Sequence, residues 1–208
     1  IRDSPKGDVL PVDASPPIEP AAFADLSSSD GGSGPASPRA DREVRVFIGL
    51  GSNVGDRLNQ LAAAVRFLDG PSGFRLERVS SVYETAPVGP VEQPSFLNAV
   101  AIVHTSLAPE ALLTALKAFE QRAGREDVVR WGPRAIDLDI LLYGRLELTS
   151  SRLQIPHPEL TRRAFVLVPL AELDPHLRIP GLETSASSLR DRAPGLESVV
   201  RVGNMPRL

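Results

Sequence analysis

The chain contains no cysteine. That excludes disulfide bonds, thiolate nucleophiles and zinc–thiolate centres, and it fits a cytoplasmic setting. Aromatic residues make up only 5% of the sequence, with a single tryptophan. So few rings leave little for the stacking surfaces that RNA-recognition sheets use. The formal net charge is −3, which argues against nucleic acid held by bulk positive charge. No apolar run reaches the length of a membrane span. The first residue is Ile1, and no charged-then-apolar signal pattern follows. The expectation is a piece processed or excised from a longer protein. What remains is ordinary for a globular protein: 208 residues, 42% hydrophobic and 24% charged. That suffices for one domain with its own core, plus an appendage.

The appendage is N-terminal. Pro5, Pro11, Pro16, Pro17, Pro20, Pro35 and Pro38 interrupt any helix or strand ladder, and Ser27 to Gly34 has a flexible-linker composition. Residues 1–42 are therefore expected to be a disordered tail or linker. The domain is expected over residues 43–200, with residues 201–208 as a C-terminal tail.

Order should begin near Val44, where Val44, Val46 and Ile48 alternate as in a strand. Gly49-Leu50-Gly51-Ser52-Asn53 reads as a turn, with Ser52 or Asn53 capping the helix that follows. That helix carries Leu58, Leu61, Ala62, Val65 and Leu68 on one face and ends at Gly70-Pro71. Val79, Ser81 and Tyr83 suggest a second strand, and Phe96 to Thr105 a third. A helix from Pro109 buries Leu112, Leu116 and Phe119 and stops at Gly124. Ile136 to Tyr143 is the fourth strand. The order βαββαβ predicts an α+β, ferredoxin-like core: an antiparallel sheet with helices packed on it, plus extra C-terminal elements. Phe165 to Leu173 reads as a helix or a strand pair.

Asp137 and Asp139 lie two positions apart within the apolar fourth strand, so their side chains share a face. Leu138, Ile140 and Leu142 should point the other way, into the core. Adjacent like charges repel, and a hard dication such as Mg²⁺ would neutralise both. Arg125, Arg130 and Arg134 sit just upstream and suit phosphate oxygens; a helix-terminal arginine is also explained by the helix dipole. Gly49 to Asp56 matches neither a dinucleotide-binding nor a P-loop spacing, which leaves a tight turn as the plain reading. The stiff loop from Thr85 to Asn98 is either a connector or a frame whose backbone reads a flat heterocycle, with Asn98 as donor and acceptor. His157, between two prolines and ahead of Arg162 and Arg163, marks either a surface turn or a ligand edge. His104 and His176 lack such company and read as structural.

These motifs together resemble the 6-hydroxymethyl-7,8-dihydropterin pyrophosphokinase family over about Val46 to Pro175. The resemblance rests on Gly-Ser-Asn at 51–53, Tyr-x-Thr-x-Pro-x-Gly-Pro at 83–90 and Gln-Pro-x-Phe-Leu-Asn at 93–98. It rests further on Gly-Arg at 124–125, Arg-Trp-Gly-Pro-Arg-x-Ile-Asp-Leu-Asp at 130–139, and Pro-His-Pro with Arg163 and Phe165. It implies transfer of diphosphate from ATP to the pterin hydroxymethyl group with release of AMP, in folate biosynthesis. It implies two Mg²⁺ ions on Asp137 and Asp139, catalytic roles for Arg125 and Arg134, and a pterin site of Thr85, Pro87, Val88, Phe96, Asn98 and Phe165. ATP-side positions would be Glu120, Arg130, Trp131, Arg134, Ile140, Arg152, His157 and Arg163. A fused upstream folate-pathway aldolase is a further implied partner; nucleic acid and membrane are not. The chain departs from the pattern at Glu126 and Asp127, where relatives often carry an arginine, at Gln154 and Pro158, and at Lys117, which replaces a common glutamine on the nucleotide side. The alternatives are a non-catalytic ferredoxin-like binding module, which leaves Asp137 and Asp139 unexplained, and a dinucleotide-binding oxidoreductase, which fails on glycine spacing.

Overall fold

The computed structural model describes residues 43–70, 73–87, 92–124, 134–182 and 184–206. The proline-rich segment 1–42 lies outside them, as do Val88, Arg125, Glu126, Asp127, Arg130 and Trp131. The chain runs β1 (Val44–Ser52), α1 (Arg57–Leu68), β2 (Phe74–Val79), β3 (Val82–Thr85), β4 (Phe96–Thr105), α2 (Pro109–Arg122) and β5 (Asp137–Tyr143). This is the expected βαββαβ order, with the second strand in two pieces. The strands align as β5-β1-β4-β3, with β2 also on β4, and every pairing is antiparallel.

The break between β2 and β3 has a local cause. Ser80 Oγ accepts from Val100 N at 2.9 Å, and Ser81 N donates to the Glu172 carboxylate at 3.0 and 3.1 Å. Two serines thus divert backbone groups from the ladder at the point where the strand bends.

One face of the sheet carries α1 and α2. Leu61, Val65 and Leu68 of α1 and Leu112, Leu116 and Phe119 of α2 are buried against Val46, Ile48, Leu50, Leu138 and Ile140. Phe67 stacks on Phe119 at 4.6 Å and meets Phe74 edge-on at 5.3 Å, joining both helices to β2. Leu58, expected on the buried face of α1, is instead 41% exposed because it lies in the first turn, beyond the sheet's cover. The cap of α1 is Asp56, whose side chain accepts from Asn59 N, and not Ser52 or Asn53. The reason is that β1 runs on through Gly49, Gly51 and Ser52, which the sequence suggested as a turn.

The other face carries the C-terminal elements. After β5 come β6 (Leu148–Thr149), β7 (Gln154–Ile155), a 3-10 turn (Leu160–Arg162), α3 (Ala164–Leu173), α4 (Ala186–Arg190), a second 3-10 turn (Leu196–Ser198) and β8 (Val200–Gly203). Phe165 to Leu173 is thus a helix. Seven of the ten residues of α3 are buried, as expected of a helix apolar on nearly all sides. Glu172 clamps it to β3, accepting also from Ser81 Oγ at 2.8 Å and Tyr83 Oη at 2.9 Å. Burial, and then that bond, push the Tyr83 phenol up to about 12. Leu142, expected with Leu138 and Ile140, packs with Leu141 in the second core. The pairing of β5 with β1 shifts between Phe47 and Ile48, and the extra residue turns Leu142 to the opposite side. Residues 201–203, expected in the tail, belong to β8, which adds to the sheet beside β3. The alternation there is short, and Val200 and Val202 are more than half exposed, so burial leaves no pattern to read. Among the described residues no helix is long and apolar enough to cross a membrane.

A surface network yields the first prediction. Glu77 on β2 accepts from Arg45 on β1 through two bonds of 3.0 Å and lies 2.7 Å from His104 Nε2. The Arg45 bonds, reinforced by His104, hold the Glu77 carboxyl down at about 2. A depressed carboxyl stabilises the fold above its unfolded pKa of 4.5 and loses that contribution as pH falls through 2. Glu77→Gln should cost about 1 kcal/mol at pH 7, discounted for solvent screening. Urea unfolding at pH 7 and at pH 3 should show the gap between wild type and variant narrowing at the lower pH; a gap that widens would contradict the network.

Candidate active site

A cavity of about 310 Å³ opens between the sheet and the start of α3. Its floor follows from the pairing of β1. Gly51 lies opposite Asn98 on β4 and Asp137 on β5, and Gly49 lies opposite Val100 and Asp139. Ile48 and Leu50 point into the helix-covered core, so the intervening glycines face the cavity. With no side chains there, the sheet is hollow where large residues would fill it. A Cβ on Gly51 would meet Asn98 Oδ1 at 3.2 Å, and one on Gly49 would meet Leu141 Cδ2 at 3.3 Å. The signal for this floor was visible as Gly-x-Gly within an alternating apolar strand.

Thr85, Phe96, Asn98 and Phe165 line the cavity. Asn98 Nδ2 donates to Thr85 Oγ1 at 2.8 Å, which turns its Oδ1 toward Gly51. Arg163 places its guanidinium 5.7 Å from the Phe165 ring centre, a distance suited to cation–π attraction. Pro87 is half-buried beside Ala86 and does not line the cavity.

Asp137, Asp139, Arg134, His157 and Arg163 line the same cavity. The two aspartates share a face, as the strand period required. Arg134 Nη1 donates to Asp137 Oδ2. Asn53 locks this arginine in place: its Oδ1 accepts from Arg134 N at 2.7 Å, and its own N donates to Arg134 O at 3.1 Å. Asn53 Nδ2 also reaches Gln93 Oε1 at 3.0 Å and Pro94 O at 3.3 Å. Thus Asn53 couples the arginine segment to the loop before β4. Reading the sequence by residue type gave Asn53 only a capping role. The motif Gly-Ser-Asn held the signal, but the spatial link to residue 134 did not show in the sequence.

His157 hangs from Leu141 O through its own N at 3.0 Å. Its Nδ1 accepts from Glu159 N at 3.2 Å, which assigns the ring proton to Nε2. Burial lowers its pKa, with Asp139 pulling the other way. The ring is therefore a neutral donor at pH 7.

Other expected residues lie elsewhere. Ile140 is 3% exposed and packs in the helix-side core. Arg152 is exposed in the turn between β6 and β7. Glu120 is fully buried on α2. Its Oε1 accepts from Leu138 N at 2.6 Å and from Lys117 Nζ at 2.7 Å, while Lys117 Nζ donates to Leu138 O at 3.0 Å. Burial raises the Glu120 pKa, and Lys117 opposes that. These two side chains satisfy both backbone groups of Leu138 on the open side of the outermost strand, where a sheet otherwise leaves them unpaired. Val88, Arg125, Arg130 and Trp131 lie outside the described residues.

The comparisons with known proteins bear on the family and the fold. A family model described as 7,8-dihydro-6-hydroxymethylpterin-pyrophosphokinase (HPPK) matches residues 47–175. A 2-amino-4-hydroxy-6-hydroxymethyldihydropteridine pyrophosphokinase of Pseudomonas aeruginosa is 48% identical over 136 residues, covering 65% of this chain and 84% of that protein. A mitochondrial folate synthesis bifunctional protein of Arabidopsis thaliana is 47% identical over 131 residues, covering 63% of this chain and 24% of that protein. Among solved structures, an HPPK-DHPS in complex with substrates is similar with a TM-score of 0.60 at 15% identity, over 73% of this chain and 43% of that one. The last shows the fold alone.

Proposed function

We propose a division of labour within the cavity from one premise: the chain belongs to the 7,8-dihydro-6-hydroxymethylpterin-pyrophosphokinase family. It is an ATP-dependent pyrophosphokinase of folate biosynthesis, and ATP is its co-substrate. The hydroxymethyl oxygen of the pterin attacks the β-phosphorus of ATP. The bond from that phosphorus to the α-phosphate oxygen breaks, AMP leaves, and the hydroxyl proton passes to solvent. The binding-module alternative loses its footing, since the relatives are named as enzymes.

The pterin belongs at the Gly51 floor, between Phe96 and Phe165, with Asn98 reading its edge. Offset stacking on a flat ring suits two aromatics, and the Asn98–Thr85 bond fixes which way the amide faces. The backbone at Thr85 and Val88 completes that site on the strength of the motif, with Pro87, outside the cavity lining, stiffening the loop between them. Arg134, His157 and Arg163 serve the triphosphate, with Arg125, Arg130 and Trp131 joining them by motif; Arg152 would reach it from the exposed turn between β6 and β7 and not from the cavity lining. Glu120 and Ile140 act from beneath β5 by fixing its position.

The donor set at Asp137 and Asp139 fits magnesium. Two carboxylates face one cavity, and among the described residues no group of three or more His, Cys, Asp or Glu is placed to hold a metal. That is a poor cage for a thiolate- or imidazole-seeking metal such as Zn²⁺ and a suitable one for Mg²⁺, which takes one or two carboxylates, waters and substrate phosphates, and for Mn²⁺, which accepts the same oxygen donors. Asp137 and Asp139 would hold two such ions, which supply charge neutralisation of the triphosphate. A second folate-pathway domain on the same polypeptide, expected upstream as an aldolase, is supported only by analogy with the bifunctional relatives.

The observation that carries this reading is the shared cavity: the aspartate pair and the Asn98, Phe96 and Phe165 cluster open onto one another. The test is AMP release from ATP and Mg²⁺ with and without 6-hydroxymethyl-7,8-dihydropterin. Pterin-dependent AMP is expected; its absence from folded protein would sink the assignment.

A further inference from the structure

Lys117 is the residue whose position the diphosphate transfer leaves unexplained. Its ammonium donates to Glu120 at 2.7 Å and to Leu138 O at 3.0 Å. The same nitrogen lies 3.8 Å from Asp137 Oδ1 and 3.8 Å from Asp139 Oδ1. Glu120 is fully buried and anchored on Leu138 N, so the lysine is tethered to a fixed partner. It is therefore a stationary positive charge midway between the two carboxylates assigned to metal. Without a metal, it joins Arg134, which donates to Asp137 Oδ2, in offsetting the repulsion between two carboxylates on one strand face, and of the two it is the one placed equally near both.

A bare dication entering the pair must approach that ammonium and is repelled by it. A dication already bound to a polyphosphate brings net negative charge, and the ammonium attracts it. The sign of the lysine's effect thus reverses between the free ion and the metal–nucleotide complex. We propose that Lys117 is a specificity-determining residue that disfavours a bare divalent cation at Asp137 and Asp139 and favours one delivered on a polyphosphate. The proposal rests on the metal assignment made above. The plainer role, a counter-ion for Glu120 and a cap for the edge of β5, would leave metal affinity untouched.

The experiment measures Mn²⁺ binding by the electron paramagnetic resonance of the free ion, on the full chain, with and without α,β-methylene-ATP. Lys117→Gln keeps a donor for Leu138 O and removes the charge. It should bind Mn²⁺ alone roughly three- to tenfold more tightly than wild type, as expected for one partly exposed charge. With the analogue present it should bind Mn²⁺ more weakly by a similar factor. Lys117→Arg should stay within about twofold of wild type in both states, because the charge is retained. If Lys117→Gln does not fold, Lys117→Met carries the same readout. Unchanged or weaker binding of bare Mn²⁺ by the uncharged variant, beside normal wild-type binding of Mn²⁺ with the analogue, overturns the role of Lys117 alone. No Mn²⁺ bound by wild type with the analogue overturns the metal assignment and the proposal together.

Discussion

Asp139→Ala is expected to lower kcat by roughly a thousandfold or more while changing pterin affinity by less than about threefold. The asymmetry follows from where Asp139 sits. It lies opposite Gly49, one step along the strand from the Gly51 row that carries Asn98. Phe96, Asn98 and Phe165 keep their positions without it, so a flat ring still finds its stacking partners and its amide. What is lost is half of the carboxylate pair, and with it the charge balance around the triphosphate. Asp139→Asn keeps the volume and one neutral oxygen, and should recover only a small part of the rate. Fluorescence titration of the pterin and single-turnover AMP formation measure the two quantities separately. Near-normal turnover would remove Asp139 from the metal site; loss of pterin affinity equal to the loss of rate would place it against the pterin.

The sequence made the aspartates legible because a strand has a period of two and because an apolar run fixes which face is buried. Asp137 and Asp139 could only converge, and they do. The same rule misplaced Leu142, since a one-residue shift in pairing reverses the phase and nothing in Leu-Leu-Tyr marks it. Gly49 and Gly51 were read as a turn for a related reason: glycine is the commonest sign of a turn, and a strand that uses it to stay hollow looks the same in one dimension. The βαββαβ core was legible because both helices keep a clear apolar stripe. Asn53 was not, because its partners at 93, 94 and 134 are brought to it only by the sheet. Glu120 was linked to the nucleotide through the family pattern, and its bonds to Leu138 and Lys117 could not be read from the sequence. A buried carboxylate beside a metal site is hard to tell from a ligand until its partners are known.

Gly51→Val should abolish measurable pterin binding, a loss of roughly thirtyfold or more, and leave the fold standing. Gly51 has no positive φ, so a β-branched residue meets no backbone strain there, and valine favours strands. Its neighbours on both sides, Asn98 and Asp137, keep their ladder partners. The cost falls on the cavity. The first added carbon already stands 3.2 Å from Asn98 Oδ1 and 3.9 Å from Phe96 Cδ1, and the two methyls beyond it enter the space assigned to the pterin. Asn98 cannot yield freely, because Thr85 holds its amide at 2.8 Å. Gly49→Ala is the control: its new carbon meets the ends of the Leu141 side chain at 3.3 and 3.6 Å, which can turn aside, so pterin affinity should fall by less than about fivefold. Calorimetric titration of the pterin gives the affinities, and thermal melting should place both variants within about 4 °C of wild type, the shift expected for a change of about 1 kcal/mol in a domain of this size. A Gly51→Val protein that melts normally and still binds pterin would move the substrate off this floor; one that melts far lower would show that the glycine serves the sheet and not the cavity.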